Sequence, residues 1–380
     1  MKRNNISAAL FLTAFFLTIS YAQAQVPLPC GNYKIDTAAV NKARQYSLSN
    51  TNQPVSANVV VRVYFHIVRN DDASNAPITI EQIATEYATL VASYAADNVC
   101  FLNAGVNYDN NTFLNTLFNA DNDPTGTFFS SYQVPGCINI FYTTKINGNN
   151  TACNPPCGYG GIALGGIPGT FCLVGKSNVG SGSTISHEVG HCLGLLHTFE
   201  TNNGFEKIDG SNSSTAADQV TDTPADPFAY NGNACFVASV NNCIYNGTCT
   251  DPNGAINFNP PYSNLMAYWW NGKDANGFFI NCYPNLVATN GQFARVNSFL
   301  ATSSVLINCI SSGFLVQNAI TLSSGYYMNS ALNTFSTNGA VLFNGTAKAT
   351  IGGGKVYLEP GFHANPSTNG LVRITVPPCN

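Results

Sequence analysis

Three of the five histidines in this chain of 380 residues fall in one short stretch, His187-Glu188-Val189-Gly190-His191-Cys192-Leu193-Gly194-Leu195-Leu196-His197. On a helix, residues four apart share a face one turn from each other, so His187 and His191 can point their imidazoles at a single ion. Glu188 then sits beside that ion without binding it. Gly194 follows where a left-handed residue can stop the helix and turn the chain, which glycine does at least cost. That turn can deliver His197 as a third ligand. Ile185, Val189, Cys192, Leu193 and Leu196 fall on the opposite face at helical spacing, so one side packs while the other coordinates.

Three neutral imidazoles leave tetrahedral zinc one open position for water, which is a catalytic rather than a structural arrangement. The ion lowers the pKa of that water towards about 7 and polarises a carbonyl, and Glu188 is placed as general base. This is the chemistry of peptide-bond hydrolysis. A surface adhesion or binding protein with a structural or spent metal site is the competing reading. The intact Glu188 speaks against it, since a structural site has no need of a carboxylate beside the water.

The pattern HExxHxxGxxH resembles the signature of the metzincin metallopeptidases, whose second mark is a methionine turn beneath the zinc site. Ser263-Asn264-Leu265-Met266-Ala267-Tyr268 resembles that turn, and Met1 and Met328 are the only other methionines. Within the clan the chain is most similar to the pappalysin, or cytophagalysin, family. The likeness rests on His197-Thr198-Phe199, Asp218-Gln219-Val220-Thr221-Asp222-Thr223-Pro224, Gln292-Phe293-Ala294-Arg295 and Val63-Tyr64-Phe65-His66-Ile67-Val68, and spans roughly residues 55 to 310. It implies an α+β catalytic domain: a mixed twisted sheet with helices above the zinc cleft and an irregular, disulfide-stapled lower half. It also implies Met266 as a packing floor, and Tyr268 facing the zinc as a hydrogen-bond donor to the oxyanion, the competing reading of Tyr268 being a core aromatic. Glu200, Asp209, Asp218 and Asp222 could hold calcium, as in some members of the family, or serve turns and caps. Trp269-Trp270 and the insertion through Phe279 depart from the family's shorter acidic sequence, which leaves substrate preference uncarried.

Several elements must position these groups. Residues 58–69 are β-branched and aromatic enough for a buried strand, and His66 within it reads as a hydrogen-bonded sheet residue. Thr79 can cap a helix carrying Ile83, Tyr87, Leu90, Val91 and Tyr94 on one side. Further strands are expected near Val99–Leu102, Cys137–Thr143 and Thr170–Lys176. Beyond His197 the chain is rich in Asn, Asp, Gly and Pro up to Pro261. There, pairings among Cys235, Cys243, Cys249 and Cys282 would offset a missing core.

Lys2 and Arg3 before an apolar run from Ile6 to about Tyr21, followed by Ala22-Gln23-Ala24, read as a secretory signal peptide over residues 1–24. The expected order is then a propeptide or N-terminal segment over 25–55, the catalytic domain over 56–311 and a small all-β accessory domain over 312–380. Thirteen cysteines agree with an oxidising compartment, and one stays unpaired if all others pair. Cys30 could be that thiol, occupying the fourth zinc position in a zymogen, or an ordinary half-cystine. Cys192 is equally able to be the odd one as a small buried hydrophobe. Charged residues at 9% and a net charge of −4 argue against nucleic-acid partners and against electrostatic attachment to membranes. The expected partner is a protein or peptide substrate outside the cell or at its surface. The short runs after Cys309, including Leu358-Glu359-Pro360-Gly361-Phe362-His363-Ala364, resemble stacked β-repeat appendages of secreted Bacteroidetes proteins. Such a module would tether the enzyme to a surface, bind a glycan or a protein, or simply add stability, and His363 in it reads as structural.

Overall fold

The computed structural model describes residues 35–49, 59–96, 99–150, 157–181, 183–229, 235, 240–241, 244–269, 271–273, 279–281, 286–310, 314–317, 320–322, 326–337, 340–345, 348–358, 362–367 and 371–375. The signal-peptide reading, Cys30, Cys243, Trp270 and Cys282 lie outside them.

The chain begins with helix α1 (Thr37–Ser49), strand β1 (Val59–Arg69), helix α2 (Ile80–Ser93) and strand β2 (Val99–Asn110). Helix α2 starts where expected. The Thr79 hydroxyl accepts from the backbone of Gln82, whose side chain accepts from the backbone of Thr79, and this closes a capping box. Short helices between Phe113 and Tyr132 lead to β3 (Ile138–Thr143), β4 (Ile146–Asn150), β5 (Cys157–Tyr159), β6 (Gly161–Ala163) and β7 (Phe171–Gly175). The main sheet runs β2-β1-β3-β7-β6. Its first four strands are parallel and the short edge strand β6 is antiparallel to β7, so the sheet is mixed, within an α+β architecture.

Because strand side chains alternate, β1, β3 and β7 fill two separate cores. Val63, Phe65, Ile67, Ile138, Ile140, Tyr142, Cys172 and Val174 face the helices; Val68, Phe141, Phe171 and Leu173 pack with Phe118 and Phe129 on the other side. His66 crosses between layers: its ring stacks on Phe141, Nδ1 lies 2.7 Å from Asp109 Oδ2, and Nε2 lies 3.0 Å from Asn139 Oδ1. It is held by the sheet through these contacts.

Helix α1 lies inside the span read as a removable segment, yet it buries Val40 and Ala43 in the helix-side core, and Lys42 Nζ donates to Thr302 O. Loss of this helix would uncover part of that core.

Helix α3 (Thr184–Cys192) carries the motif and is buried along its whole length. After it come two short strand pairs, β8 (Val240–Asn241) with β9 (Ile244–Tyr245) and β10 (Asn271–Lys273) with β11 (Phe279–Asn281), then helix α4 (Asn290–Thr302). This irregular part has its own aromatic core of Phe228, Tyr245, Phe258 and Trp269, and the Cys235–Cys249 disulfide staples it. Cys100 is disulfide-bonded as well. Cys137, Cys192 and Cys309 are buried free thiols and Cys172 is buried with them, so Cys192 packs as a small hydrophobe.

From Phe314 every described element is a strand: β12 (Phe314–Gln317), β13 (Ile320–Leu322), β14 (Tyr326–Thr337), β15 (Val341–Gly345), β16 (Lys348–Tyr357), β17 (Phe362–Pro366) and β18 (Leu371–Thr375). Even-numbered members form one parallel sheet and odd-numbered members another. Ile320 pairs with Val341 and Val341 with Phe362, so the strand register repeats at equal spacing along the chain. His363 is exposed there. No helix among the described residues is long and apolar enough to cross a membrane.

Candidate metal centre

Helix α3 ends as its sequence requires. Leu193 caps it and Gly194 adopts φ +97°, a conformation that side chains resist. A Cβ on Gly194 would also stand 2.2 Å from the buried Phe299 ring. The reversed chain brings His197 back over the helix. Nε2 of His187 lies 3.1 Å from Nε2 of His191 and 3.1 Å from Nε2 of His197, and the last two are 3.2 Å apart. Among the described residues this is the one group of three His, Cys, Asp or Glu side chains that could share an ion.

Proton bookkeeping shows what the centre wants. His187 Nδ1 donates to Leu265 O at 2.7 Å and His191 Nδ1 donates to Leu195 O at 2.8 Å, so in each neutral ring the proton is on Nδ1 and the lone pair on Nε2. Burial pushes the His187 imidazolium down to about 4 and pushes His191 and His197 well below their ordinary value, so the rings are neutral at pH 7. Lone pairs converging in a dry site repel unless a cation stands between them. Zinc at about 2.0–2.1 Å from nitrogens at tetrahedral angles separates them by about 3.3 Å, close to what these rings already adopt. The donor set fits the ion.

Each neighbour of the centre has a structural cause. Met266 is fully buried, and its carbonyl accepts from Thr198 N. A Cβ on Gly190 would lie 2.8 Å from Met266 Sδ and 3.0 Å from Tyr94 Oη, so glycine there lets the methionine turn close on the helix. Tyr268 is half-buried with its hydroxyl 3.2 Å from His197 Nε2. Glu188 is buried, and a Cβ on Gly161 of β6 would lie 2.4 Å from its Oε1, so the edge strand gives way for this carboxylate. Sequence reasoning missed Gly161 and Gly190. The glycine inside a short apolar strand and the glycine inside a helix were the available signals, since both cost stability unless something approaches closely.

The downstream motifs hold the floor. Gln292 and Asn264 join by their amides, and Asn264 Oδ1 accepts from Met266 N. Arg295 donates from Nε to Gly194 O and from Nη1 to Asp218 O. The four carboxylates considered for calcium make turn and cap hydrogen bonds. Glu200 accepts from Asn202 N, Asp209 from Ser211 N, and Asp218 from Val220 N and Thr223 Oγ1. Asp222 accepts from Thr289 Oγ1 and Gly291 N at the start of α4.

Sequence reasoning also passed over Glu206 and Asp226, whose partners lie far along the chain. Burial, with Asp218 and Asp226 nearby, pushes Glu206 up to about 8; burial pushes Asp218 up to about 7 and Asp226 up to about 6. For Glu206 the folded value lies above the ordinary 4.5, so the folded state binds the extra proton. Its penalty is absent below about 4.5 and grows as pH rises through about 8. Glu206→Gln should therefore raise the melting temperature of chelated protein at pH 8 by roughly 2–4 °C, about 1 kcal/mol, with the gain fading towards pH 4.5. Thermal melts at both pH values check this, and an equal gain at both would contradict it.

Comparisons with known proteins agree in kind. The chain is 26% identical over 280 residues to an extracellular metalloprotease of Podospora anserina, a match covering 68% of this chain and 79% of that protein. It is 29% identical over 195 residues to an extracellular metalloprotease of Arthroderma benhamiae (49% of this chain, 60% of that one). It is 26% identical over 186 residues to one of Neurospora crassa (46% and 60%). No protein-family model matches the chain.

Proposed function

We propose that this chain is a secreted zinc-dependent endopeptidase of the pappalysin-like metzincin type, made as a zymogen and carrying a C-terminal β accessory domain over residues 312–380. The observation that carries the reading is the convergence of three neutral imidazole Nε2 atoms within 3.1–3.2 Å of one another. Its likeness to fungal extracellular metalloproteases supports the same class.

His187, His191 and His197 would hold zinc, which when bound supplies Lewis acidity and a water of lowered pKa. The carbonyls of Leu265 and Leu195 keep two of the rings in the ligating tautomer. Glu188 accepts the proton given up at the attacking oxygen and returns it to the leaving amine. Tyr268 donates a hydrogen bond to the oxyanion, its hydroxyl being held at the edge of the triad. The buried helix and methionine turn keep water from the back of the site, and Met266 serves as packing.

The test is hydrolysis of casein by purified protein, with and without a chelator, followed by return of zinc or of calcium. We expect chelation to abolish clearing, zinc to restore it, and metal analysis to find one zinc per folded chain. Calcium alone should restore nothing. Clearing that survives chelation, or folded protein without zinc, would overturn the reading in favour of a binding protein with a spent site.

A further inference from the structure

Asp226 is buried, and three donors from three parts of the chain meet its carboxylate. Thr198 Oγ1 donates to Oδ2 at 2.5 Å, Trp269 Nε1 donates to Oδ1 at 2.6 Å, and Phe228 N donates to Oδ1 at 2.9 Å. Thr198 is the residue after His197, and Trp269 is the residue after Tyr268. One carboxylate therefore grips the chain neighbours of a triad histidine and of the hydroxyl lying 3.2 Å from it. The third contact adds a wall. Phe228 packs at 4.5 Å from Phe199 and 5.0 Å from Tyr268, while Phe199 stacks on the His197 ring at 4.5 Å, nearly parallel.

We propose that Asp226 is a positioning residue that sets the placement of His197 and Tyr268 relative to each other. This rests on the hydrolase reading above and extends it to a residue that touches neither substrate nor metal. Charge-assisted bonds to a buried carboxylate are short and strong, so they fix backbone positions that neutral packing would leave loose. Both segments lack helix or strand around the site: the chain after His197 is turn, and the methionine turn is held by isolated bonds. Neither has a ladder of its own to define it. A displacement of about 1 Å at a reacting group can cost about 10²-fold in rate.

The test combines a zinc-affinity measurement with a double-mutant cycle. Asp226→Ala should weaken zinc binding, read by competition with a chromogenic chelator, by about 10-fold or more, the loss typical of groups that orient ligands. It should also lower kcat with little change in KM, and Asp226→Asn, which keeps an acceptor of the same shape, should recover part of both losses. In a Tyr268→Phe background the kcat loss should shrink, because the group being positioned is already gone. Thr198→Val leaves Asp226 in place and serves if Asp226→Ala does not fold; the same two signs are expected, smaller. Unchanged zinc affinity in a folded variant, or kcat losses that simply multiply with Tyr268→Phe, would overturn the proposal. Should the unmutated protein hydrolyse nothing, the hydrolase reading falls by itself and the affinity arm alone decides the positioning role.

Discussion

Glu188→Gln should lower kcat/KM on a peptide substrate by about 10²–10⁴-fold, the range that a positioned general base contributes. The exchange keeps side-chain size and one hydrogen-bond acceptor, and removes the charge and with it the basicity. Glu188 is buried against Gly161, so an isosteric amide fits the same space. The triad does not include this side chain, so zinc content should stay at that of the unmutated protein, and the melting temperature should move little. Those two controls separate a chemical loss from a folding loss. Steady-state kinetics with metal analysis on one preparation make the measurement; near-normal turnover by zinc-loaded Glu188→Gln would remove Glu188 from the role of base. Glu188→Ala is a poorer probe because it opens a cavity beside β6.

How much of this was readable in the sequence follows the range of each interaction. The triad was legible because its ligands lie on one helix and one turn, where spacing alone sets geometry; the same holds for the Thr79 cap and for β1. The turn at Gly194 could be read from a single residue. Helix α1 was not, since among its described side chains Val40 and Ala43 are the buried ones, with Ala39 beside them, and its apolar pattern is thin. Strands β4 to β6 escaped for the same reason: a few residues with glycine among them give no period. Asp226 was invisible because Thr198 and Trp269 reach it from 28 and 43 positions away. Asp222, noted in the sequence only as a family match and a calcium ligand, caps α4 from 67 and 69 positions away. Motifs such as Gln292-Phe293-Ala294-Arg295 were recognisable as likeness, and their physical content, a clamp on Asn264 and on the carbonyl of Gly194, needed the fold.

Gly194→Ala should cost about 2–5 kcal/mol of stability. A residue with a Cβ at φ +97° bears strain of roughly 1–2 kcal/mol, and forcing a methyl group into a packed core adds about 1–3 kcal/mol. The second part applies because that methyl would stand 2.2 Å from Phe299 Cδ2, and Phe299 is fully buried and cannot swing clear. Relief must come from the turn itself, which carries His197. The turn is further tied by Arg295 Nε on the Gly194 carbonyl and by Leu195 N on Gly190 O, so moving it also loosens the ring of His191, whose Nδ1 donates to Leu195 O. Zinc affinity should therefore fall together with stability. Gly204→Ala is the internal control: its φ is +82° and nothing lies within 4 Å of the added Cβ, so it should show the strain alone, about 1–2 kcal/mol, with zinc affinity intact. Denaturant unfolding and chelator competition on both variants decide the matter. Equal losses in the two would mean that the Phe299 contact is soft and that backbone strain alone makes glycine necessary at the turn.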